Sequence, residues 1–297
     1  MRSMCHMRTI LTCALLCCPG LKTDISAQEI VAVLSSELRP YLEAYQGFEE
    51  ELGRPVPSVN LNAGRPEIGR NTRVVVAFGS KAAIEDYPGH VVLVYCMAPG
   101  AKLDPAERQG AVVAVHMLPR PQLVVSKLKQ IQPGLKRLAA LWILDTMDDY
   151  IEQLQRVAAD MDIELLNEHL DSGDELPNSL RTLAGVGVDA LWVPPDPLLI
   201  NAQNFAVLKD FSWANDVPLY APTAGLVETG AVASVGTSFR QIGQVAAALV
   251  LQVLEGQTVA GDFYPDRTET TLNETAAARA GLEISPEILQ AMDKVVP

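Results

Sequence analysis

Short apolar runs alternate with amphipathic helical segments along most of this 297-residue chain, and no other feature constrains its fold as strongly. The runs are rich in β-branched residues and apolar throughout, which is typical of strands that are buried on both faces of a sheet. We therefore predict helices at 41–52, 122–131, 148–161 and 200–215, and strands at 29–34, 73–78, 90–96, 111–116, 137–144, 189–193 and 218–220. This order predicts an α/β fold with parallel sheets covered by helices.

The alternation occurs twice, which predicts two similar Rossmann-like lobes. The segment around Tyr41 aligns with the segment around Tyr150, because in each a strand and a polar turn precede a helix that opens with Tyr, an aliphatic residue and Glu. Two further aligned pairs are 74–80 with 189–196, and 92–100 with 217–225. Two similar lobes explain these pairs more simply than one nine-stranded sheet.

The first 27 residues differ in character from the rest of the chain. Arg2 and Arg8 precede nine uncharged residues at 10–18, a run too short to span about 30 Å of hydrocarbon as a helix. Ala27 then offers a small residue for cleavage. We predict a signal peptide at 1–27 and a periplasmic location. The alternative is a buried N-terminal helix of a cytoplasmic protein.

Cysteine positions agree with export. Four of the five cysteines lie in the predicted signal peptide, which leaves Cys96 alone and excludes an internal disulfide in the mature chain. Lipid attachment at Cys17 or Cys18 is less favoured than free export, because Leu16 is bulky where lipoprotein signals usually have a small residue.

Charge and motifs exclude several classes of protein. The net charge is −13 with no Lys/Arg stripe to neutralise phosphates, so we expect no nucleic-acid partner. The chain has no P-loop, no G-x-G-x-x-G, no G-x-S-x-G and no H-E-x-x-H motif. His90, His116 and His169 show no metal-ligand spacing. We therefore expect no enzyme, no cofactor and no metal site.

The loops after the strands hold the candidate site residues. In a two-lobed α/β protein the carboxyl ends of the parallel strands border a shared cleft, where loops and helix N-termini can hold a small ligand. These loops contain hydrogen-bonding groups and no nucleophile–base pair, which favours binding over catalysis. The candidate ligand-binding residues are Ser35, Ser36, Gly79, Ser80, Met97 and Ala98 in the first lobe, and Asp145, Thr146, Pro195, Asp196, Tyr220 and Thr223 in the second.

Several candidates also have a purely structural interpretation. Ser80 could bind an anion beside free N–H groups, or only cap the helix that follows it. Asp196 could accept hydrogen bonds from a ligand ammonium or hydroxyl group, or cap a helix beginning near Leu198. Asp145 and Thr146 could also be caps. Tyr220, like Tyr95 and Trp192, lies where core packing is the default and an aromatic ligand wall is the alternative.

A succession of motifs covers the second half of the chain. These are 188–196 (Val-Asp-Ala-Leu-Trp-Val-Pro-Pro-Asp), 217–221 (Val-Pro-Leu-Tyr-Ala), 228–236, 243–256, 272–276 (Leu-Asn-Glu-Thr-Ala) and 281–289. From about Lys136 onward the chain thereby resembles ABC-transporter substrate-binding proteins of the type that includes bacterial tryptophan- and tyrosine-binding proteins. In the first half only Gly47-Phe48 and 77–83 are similar. Because 54–71 is shorter than the family's strand and helix, we expect the first lobe to lack about one βα unit.

The resemblance implies a type I periplasmic-binding-protein fold and a role in import. The protein would bind an amino acid or a similar small polar ligand by lobe closure and present it to an ABC permease in the inner membrane. Ser80 would hold the ligand carboxylate, Asp196 would meet its amino group, and Thr146 and Tyr220 would complete the cleft. A sensory or accessory module that acts on a protein partner without transport is the alternative function.

The resemblance also implies that the chain crosses between the lobes more than once. The N-terminal lobe would comprise 28–118 and 234–262, and the C-terminal lobe 119–233 and 263–297. The crossing segments would form a hinge.

Overall fold

The structure is a computed structural model that describes residues 29–101, 103 and 108–297. The predicted signal peptide, with Cys17 and Cys18, lies outside these described residues.

The elements follow one another in the predicted βα order. Up to Val115 they are β1 (Ile30–Leu34), α1 (Arg39–Leu52), β2 (Ser58–Asn60), β3 (Val74–Phe78), α2 (Ser80–Ala83), β4 (Val92–Cys96) and β5 (Val112–Val115). The middle of the chain contains α3 (Pro121–Ile131), β6 (Arg137–Trp142), α4 (Asp148–Asp160), β7 (Glu164–His169), α5 (Leu176–Val186), β8 (Ala190–Trp192), α6 (Ala202–Ala214), β9 (Leu219–Ala221), α7 (Ala224–Glu228) and β10 (Ala233–Gly236). The last part contains α8 (Phe239–Leu254), β11 (Gly261–Phe263), β12 (Glu269–Asn273), α9 (Glu274–Arg279), α10 (Pro286–Gln290) and β13 (Lys294–Val296).

Every helix and strand predicted from the sequence is confirmed, with its ends within two residues of the predicted ones. The sequence pattern did not identify β2, β7 or the strands from β10 onward. Four of these, β2, β7, β11 and β13, lie at sheet edges and carry partly exposed, polar residues, so they lack the continuous apolar run of a central strand.

The strands form two separate sheets, as the repeated alternation predicted. The first has the order β11-β5-β4-β3-β1-β2 and is parallel throughout. The second has the order β13-β12-β10-β9-β8-β6-β7 and is parallel except where β12 pairs with β10. In both sheets the first strand of the lobe lies between the second and the third, so β1, β3 and β4 are equivalent to β6, β8 and β9. These are the segments that the sequence alignment paired.

The first lobe is thinner than the second. Residues 61–73, between β2 and β3, form no helix, so the expected shortening removes the helix of this βα unit and keeps its strand. One face of the first sheet is covered by α1 and α8, while the helix packed on the opposite face is the four-residue α2. The second sheet is covered by α3, α4 and α9 on one face and by α5, α6 and α7 on the other.

The chain crosses between the two sheets three times. The first crossover lies between Val115 and Pro121, the second between Gly236 and Phe239, and the third between Phe263 and Glu269. Residues 234–236 pair within the second sheet and Phe263 pairs with Val115 in the first, one to three residues from the predicted boundaries at 233/234 and 262/263.

The closest backbone approach between helices joins α1 to α8. A Cβ added to Gly243 would lie 1.8 Å from the carbonyl oxygen of Ala44, and one added to Gly47 would lie 2.0 Å from that of Arg240. The two glycines therefore let these helices touch through their backbones. Although α8 is apolar over much of its length, no helix within the described ranges has the length and hydrophobicity needed to cross a membrane.

We expect Gly243→Ala to destabilise the first lobe. The new methyl group has no space unless α8 moves away from α1, and such overpacking costs about 1–3 kcal/mol or more. Chemical denaturation of the purified protein measures this change.

Gly185→Ala is the matched control. Gly185 lies in α5 with open space around its Cβ position, so alanine should be neutral or stabilise the protein by up to about 1 kcal/mol. Equal free energies of unfolding for the two variants would contradict the proposed close contact.

Candidate ligand-binding site

A cavity of about 650 Å³ lies between the two lobes, at the carboxyl ends of strands from both sheets. We call it the inter-lobe cavity. The loops after β4 and β5 form its first-lobe wall, and the start of α4 with Pro195, which follows β8, forms its second-lobe wall. Asp262 and Tyr264, at the third crossover, complete it. The parallel strands therefore place the cavity where the sequence analysis expected a ligand.

Stacked rings form the crossover side of the cavity. The rings of His116 and Tyr264 lie 4.2 Å apart and almost parallel, at 6°. Nε2 of His116 is 3.0 Å from Oδ1 of Asp262. The guanidinium of Arg120 lies 5.6 Å from the centre of the Tyr264 ring. These contacts hold the imidazole and the phenol ring in place at the point where the chain leaves the first lobe.

Tyr150 forms a rigid part of the second-lobe wall. Its hydroxyl donates a 2.8 Å hydrogen bond to the carbonyl of Pro119 in the first crossover, and its ring packs 6.2 Å from that of Trp192. Burial raises the pKa of Tyr150 well above its ordinary value, and burial also raises the pKa values of Tyr95 and Tyr264. All three phenols that line the cavity are therefore neutral at physiological pH.

Thr146 joins the two lobes directly. It lies in the short turn before α4, and its hydroxyl donates a hydrogen bond to the carbonyl of Pro99 in the loop after β4. Because Pro99 belongs to the first lobe, this bond forms only when the lobes are close together.

Three of the twelve predicted residues line the inter-lobe cavity: Ala98, Thr146 and Pro195. Tyr95, considered in the sequence analysis as a possible aromatic wall, also lines it.

Asp196 is buried and lies outside the lining of the inter-lobe cavity, and its predicted contact with a ligand amino group stays a prediction. The residue is 0% exposed. Its Oδ2 accepts hydrogen bonds from the N–H groups of Ile143 (2.6 Å) and Leu144 (2.8 Å), and its Oδ1 from those of Leu198 and Leu199. Asp196 thus ties the end of β6 to the loop after β8. It is not the cap of a helix near Leu198, because the next helix, α6, begins at Ala202 and is capped by Asn201.

Ser35 and Gly79 also have structural roles that conflict with ligand contact. Ser35 is buried, and its Oγ accepts a hydrogen bond from the N–H of Ala82 at the start of α2. Gly79 has φ +100°, and an added Cβ would lie 2.5 Å from Ser35 Oγ, so only glycine fits. Ser36 and Ser80 are half-buried and lie outside the cavity lining, and Met97 is buried in the first-lobe core.

The remaining second-lobe candidates point elsewhere. Tyr220 is fully buried in the core, donates a hydrogen bond to Oε1 of Gln132 and lies outside the cavity lining. Asp145 is exposed and lies 3.6 Å from Nε2 of His169, outside the lining. Thr223 lines a second, smaller cavity of about 380 Å³ at the starts of α1, α7 and α8.

The sequence analysis did not identify several polar residues of the cavity: His116, Asp149, Tyr150, Gln153, Asp262 and Tyr264. Asp149 lies in the first turn of α4 and His116 directly follows β5, positions at which a charged or polar residue is also common for structural reasons alone. Asp262 lies in β11, whose three residues carry no strand signal, and Tyr264 follows this strand. Within the described part of the chain, no group of three or more His, Cys, Asp or Glu side chains is placed to hold a metal ion.

The family of the chain follows from comparison with known proteins. Residues 100–296 match the family model described as ABC transporter substrate binding protein. The chain belongs to this family. Because the match begins in the loop after β4, it covers the whole second lobe together with the three crossovers and α8.

Individual relatives share the fold at low identity. A tyrosine-binding protein of Clostridioides difficile (strain R20291) is 26% identical over 168 residues, which is 56% of this chain and 45% of that protein, so the chain matches less than half of the relative's length. An ABC domain from Streptococcus pneumonia in complex with L-Trp has a TM-score of 0.63 at 19% identity, covering 91% of this chain and 100% of that one. A ligand-free, open substrate binding protein with adhesive properties from Clostridium difficile has a TM-score of 0.64 at 16% identity, with 90% and 99% covered. These structures confirm the predicted type I periplasmic-binding-protein fold.

We expect Asp196→Ala to lower stability rather than only binding. Four backbone N–H groups, two of them buried, would lose a charged acceptor, and leaving buried donors unsatisfied costs about 1–3 kcal/mol each. Urea denaturation should show a loss of about 3 kcal/mol or more, allowing for partial relaxation. Asp160→Ala, at the exposed end of α4, is the control and should change little. A stable Asp196→Ala protein would contradict this role.

We expect Thr146→Val to favour separation of the lobes. The variant removes the hydrogen bond to Pro99, which contributes about 0.5–1.5 kcal/mol to the close arrangement. Small-angle scattering of the purified variant should give a larger radius of gyration than the parent. Thr182→Val, which alters only a hydrogen bond within α5, is the control. Unchanged scattering by Thr146→Val would show that this bond does not hold the lobes together.

Proposed function

We propose that this protein is the extracytoplasmic solute-binding component of an ABC importer. It holds a small polar ligand, an amino acid or a similar molecule, in the inter-lobe cavity and closes around it. The closed form is then recognised by an ABC permease in the inner membrane.

The observation that carries this proposal is the position of the inter-lobe cavity between two lobes that the chain connects through three short crossovers. Lobes joined in this way can rotate about the crossover segments as rigid bodies. Groups from both lobes line the cavity, so a ligand makes all of its contacts only when the lobes are closed. Such a ligand binds the closed state more tightly than the open state, and this difference in affinity stabilises the closed state.

The size and lining of the cavity suit a small molecule. Ligand pockets have volumes of about 300–1,000 Å³, and this cavity falls within that range. Its walls combine aromatic rings with a few hydrogen-bonding groups. No nucleophile–base pair lines the cavity among the described residues, so the lining supports binding rather than catalysis.

Family membership supports the partner and the location. Substrate-binding proteins of ABC transporters act outside the cytoplasm, which agrees with the signal peptide expected at 1–27. The relatives described above as a tyrosine-binding protein and as a complex with L-Trp support a ligand of the size of an aromatic amino acid.

One observation favours the alternative, a sensory or accessory module. The first lobe has no helix between β2 and β3, which alters the surface that this lobe presents to a partner. Transport distinguishes the two functions, because an accessory module binds its partner without moving solute across the membrane.

A thermal-shift screen tests the proposal. The purified protein is heated with amino acids, aromatic amines, nucleobases, sugars and small carboxylates in turn. A ligand at 100 times its Kd stabilises the folded state by about 2.7 kcal/mol, which is a shift of several degrees for a protein of this size. Scattering with the ligand found should then show compaction.

Uptake of the same ligand by cells that carry or lack the protein completes the test. Loss of uptake in the deletion strain is expected. A blank screen, or binding with unchanged uptake, would contradict the importer function and favour the accessory module.

A further inference from the structure

The inter-lobe cavity carries a charge pattern that bears on its ligand. Two carboxylates line it, Asp149 from α4 and Asp262 from β11, whereas no lysine or arginine does so among residues 29–101, 103 and 108–297. The nearby Arg120 guanidinium lies over the ring of Tyr264 and outside the lining. His116 lines the cavity and is paired with Asp262. The described lining is therefore negative.

The N-terminus of α4, which lies beside the cavity, already carries two negatively charged side chains. Residues 148 and 149 are both aspartates in the first turn of α4. Oδ1 of Asp148 accepts a 2.7 Å hydrogen bond from Nε1 of Trp142, while the exposed Asp149 lines the cavity. A ligand carboxylate placed here would meet like charge, because side-chain carboxylates already interact with this end of the helix dipole.

The groups expected to hold a zwitterionic amino acid are not in the cavity. Ser80, expected to bind the ligand carboxylate, lies outside the lining, and the neighbouring Ser35 hydroxyl is bonded to Ala82. Asp196, expected to bind the ammonium group, has both oxygens occupied by backbone N–H groups. The contacts available to a ligand therefore differ from those that the family resemblance implied.

The cavity is lined by aromatic rings and by two carboxylates. Tyr95, Tyr150, Tyr264 and His116 line its walls. Phenol rings attract flat ligands through stacking, and their faces attract cations. The phenols are neutral, so Asp149 and Asp262 supply the fixed charge.

We infer that the inter-lobe cavity selects a flat aromatic ligand that carries a positively charged amino group and no carboxylate. The ring packs among the tyrosines, and the ammonium group lies toward Asp149 and Asp262. This inference rests on the proposed function, whose ligand it narrows from amino acids in general to aromatic amines.

Three compounds with the same ring and different charge test the inference. Tryptamine is a cation, L-tryptophan a zwitterion and indole-3-acetate an anion. Calorimetric titration of the purified full chain at pH 7 and low salt should find tryptamine binding at least tenfold more tightly than tryptophan, and indole-3-acetate most weakly. Raising the salt concentration should weaken tryptamine binding, because the attraction is partly Coulombic.

Single Asp→Asn variants test which carboxylates attract the ammonium group of the ligand. Asp149→Asn and Asp262→Asn should each weaken tryptamine binding about five- to tenfold. Each should also reduce the ratio between the Kd for tryptophan and the Kd for tryptamine. Asp160→Asn, which removes the same charge at the far exposed end of α4, should leave both affinities unchanged. Asp149 lies exposed in the first turn of α4, so its variant remains informative even if Asp262→Asn disturbs the pair with His116.

The outcomes separate this inference from the proposed function. Tighter binding of tryptophan than of tryptamine would overturn the inference while supporting a solute-binding role. Equal effects of Asp149→Asn and Asp160→Asn would also overturn it. If none of the three compounds binds, the inference is wrong, and the thermal-shift screen then decides whether the solute-binding role is wrong as well.

Discussion

The arrangement of the whole molecule depends on covering the apolar faces of two parallel sheets. Strands such as β1 and β3 are buried on both sides, so each face of the sheet needs its own cover. In the first lobe one face is covered by α1 together with α8, which arrives only after the chain has built most of the second lobe. The contact between the backbones of α1 and α8 thereby returns the chain to the first lobe. After α8 and β11 the chain passes back to the second lobe through the third crossover. The lobes can move relative to each other only as far as the three crossovers allow.

Buried polar groups at the strand ends then shape the site. Asp196 ties the end of β6 to the loop after β8, and Ser35 bonds the start of α2. Each of these groups satisfies backbone N–H groups that would otherwise be buried without partners. Because their hydrogen-bonding capacity is used within the fold, they position the loops around the inter-lobe cavity. The surface of the cavity is formed by other residues.

The cavity lining gives this member of the family its own chemistry. The neighbouring structures share the fold with two lobes, and the family model places the chain among ABC transporter substrate binding proteins. The tyrosine rings, Asp149 and Asp262 that line the cavity come from β4, α4, β11 and the third crossover. The buried strands thus set the fold, while side chains near their carboxyl ends line the cavity.

The sequence alone determined the fold class, the central strands and helices, and the division into two lobes, because continuous apolar runs and helical periodicity are local signals. It also located the edge of the sheets where the cavity lies. Which side chains reach the cavity was decided by the tertiary structure: Asp196 and Tyr220 turn into the protein, whereas His116, Asp262 and Tyr264 meet at the crossovers. Asp262 and His116 are separated by 146 residues, yet they lie within hydrogen-bond distance. No local pattern encodes such a contact, because it exists only after β11 has paired with β5.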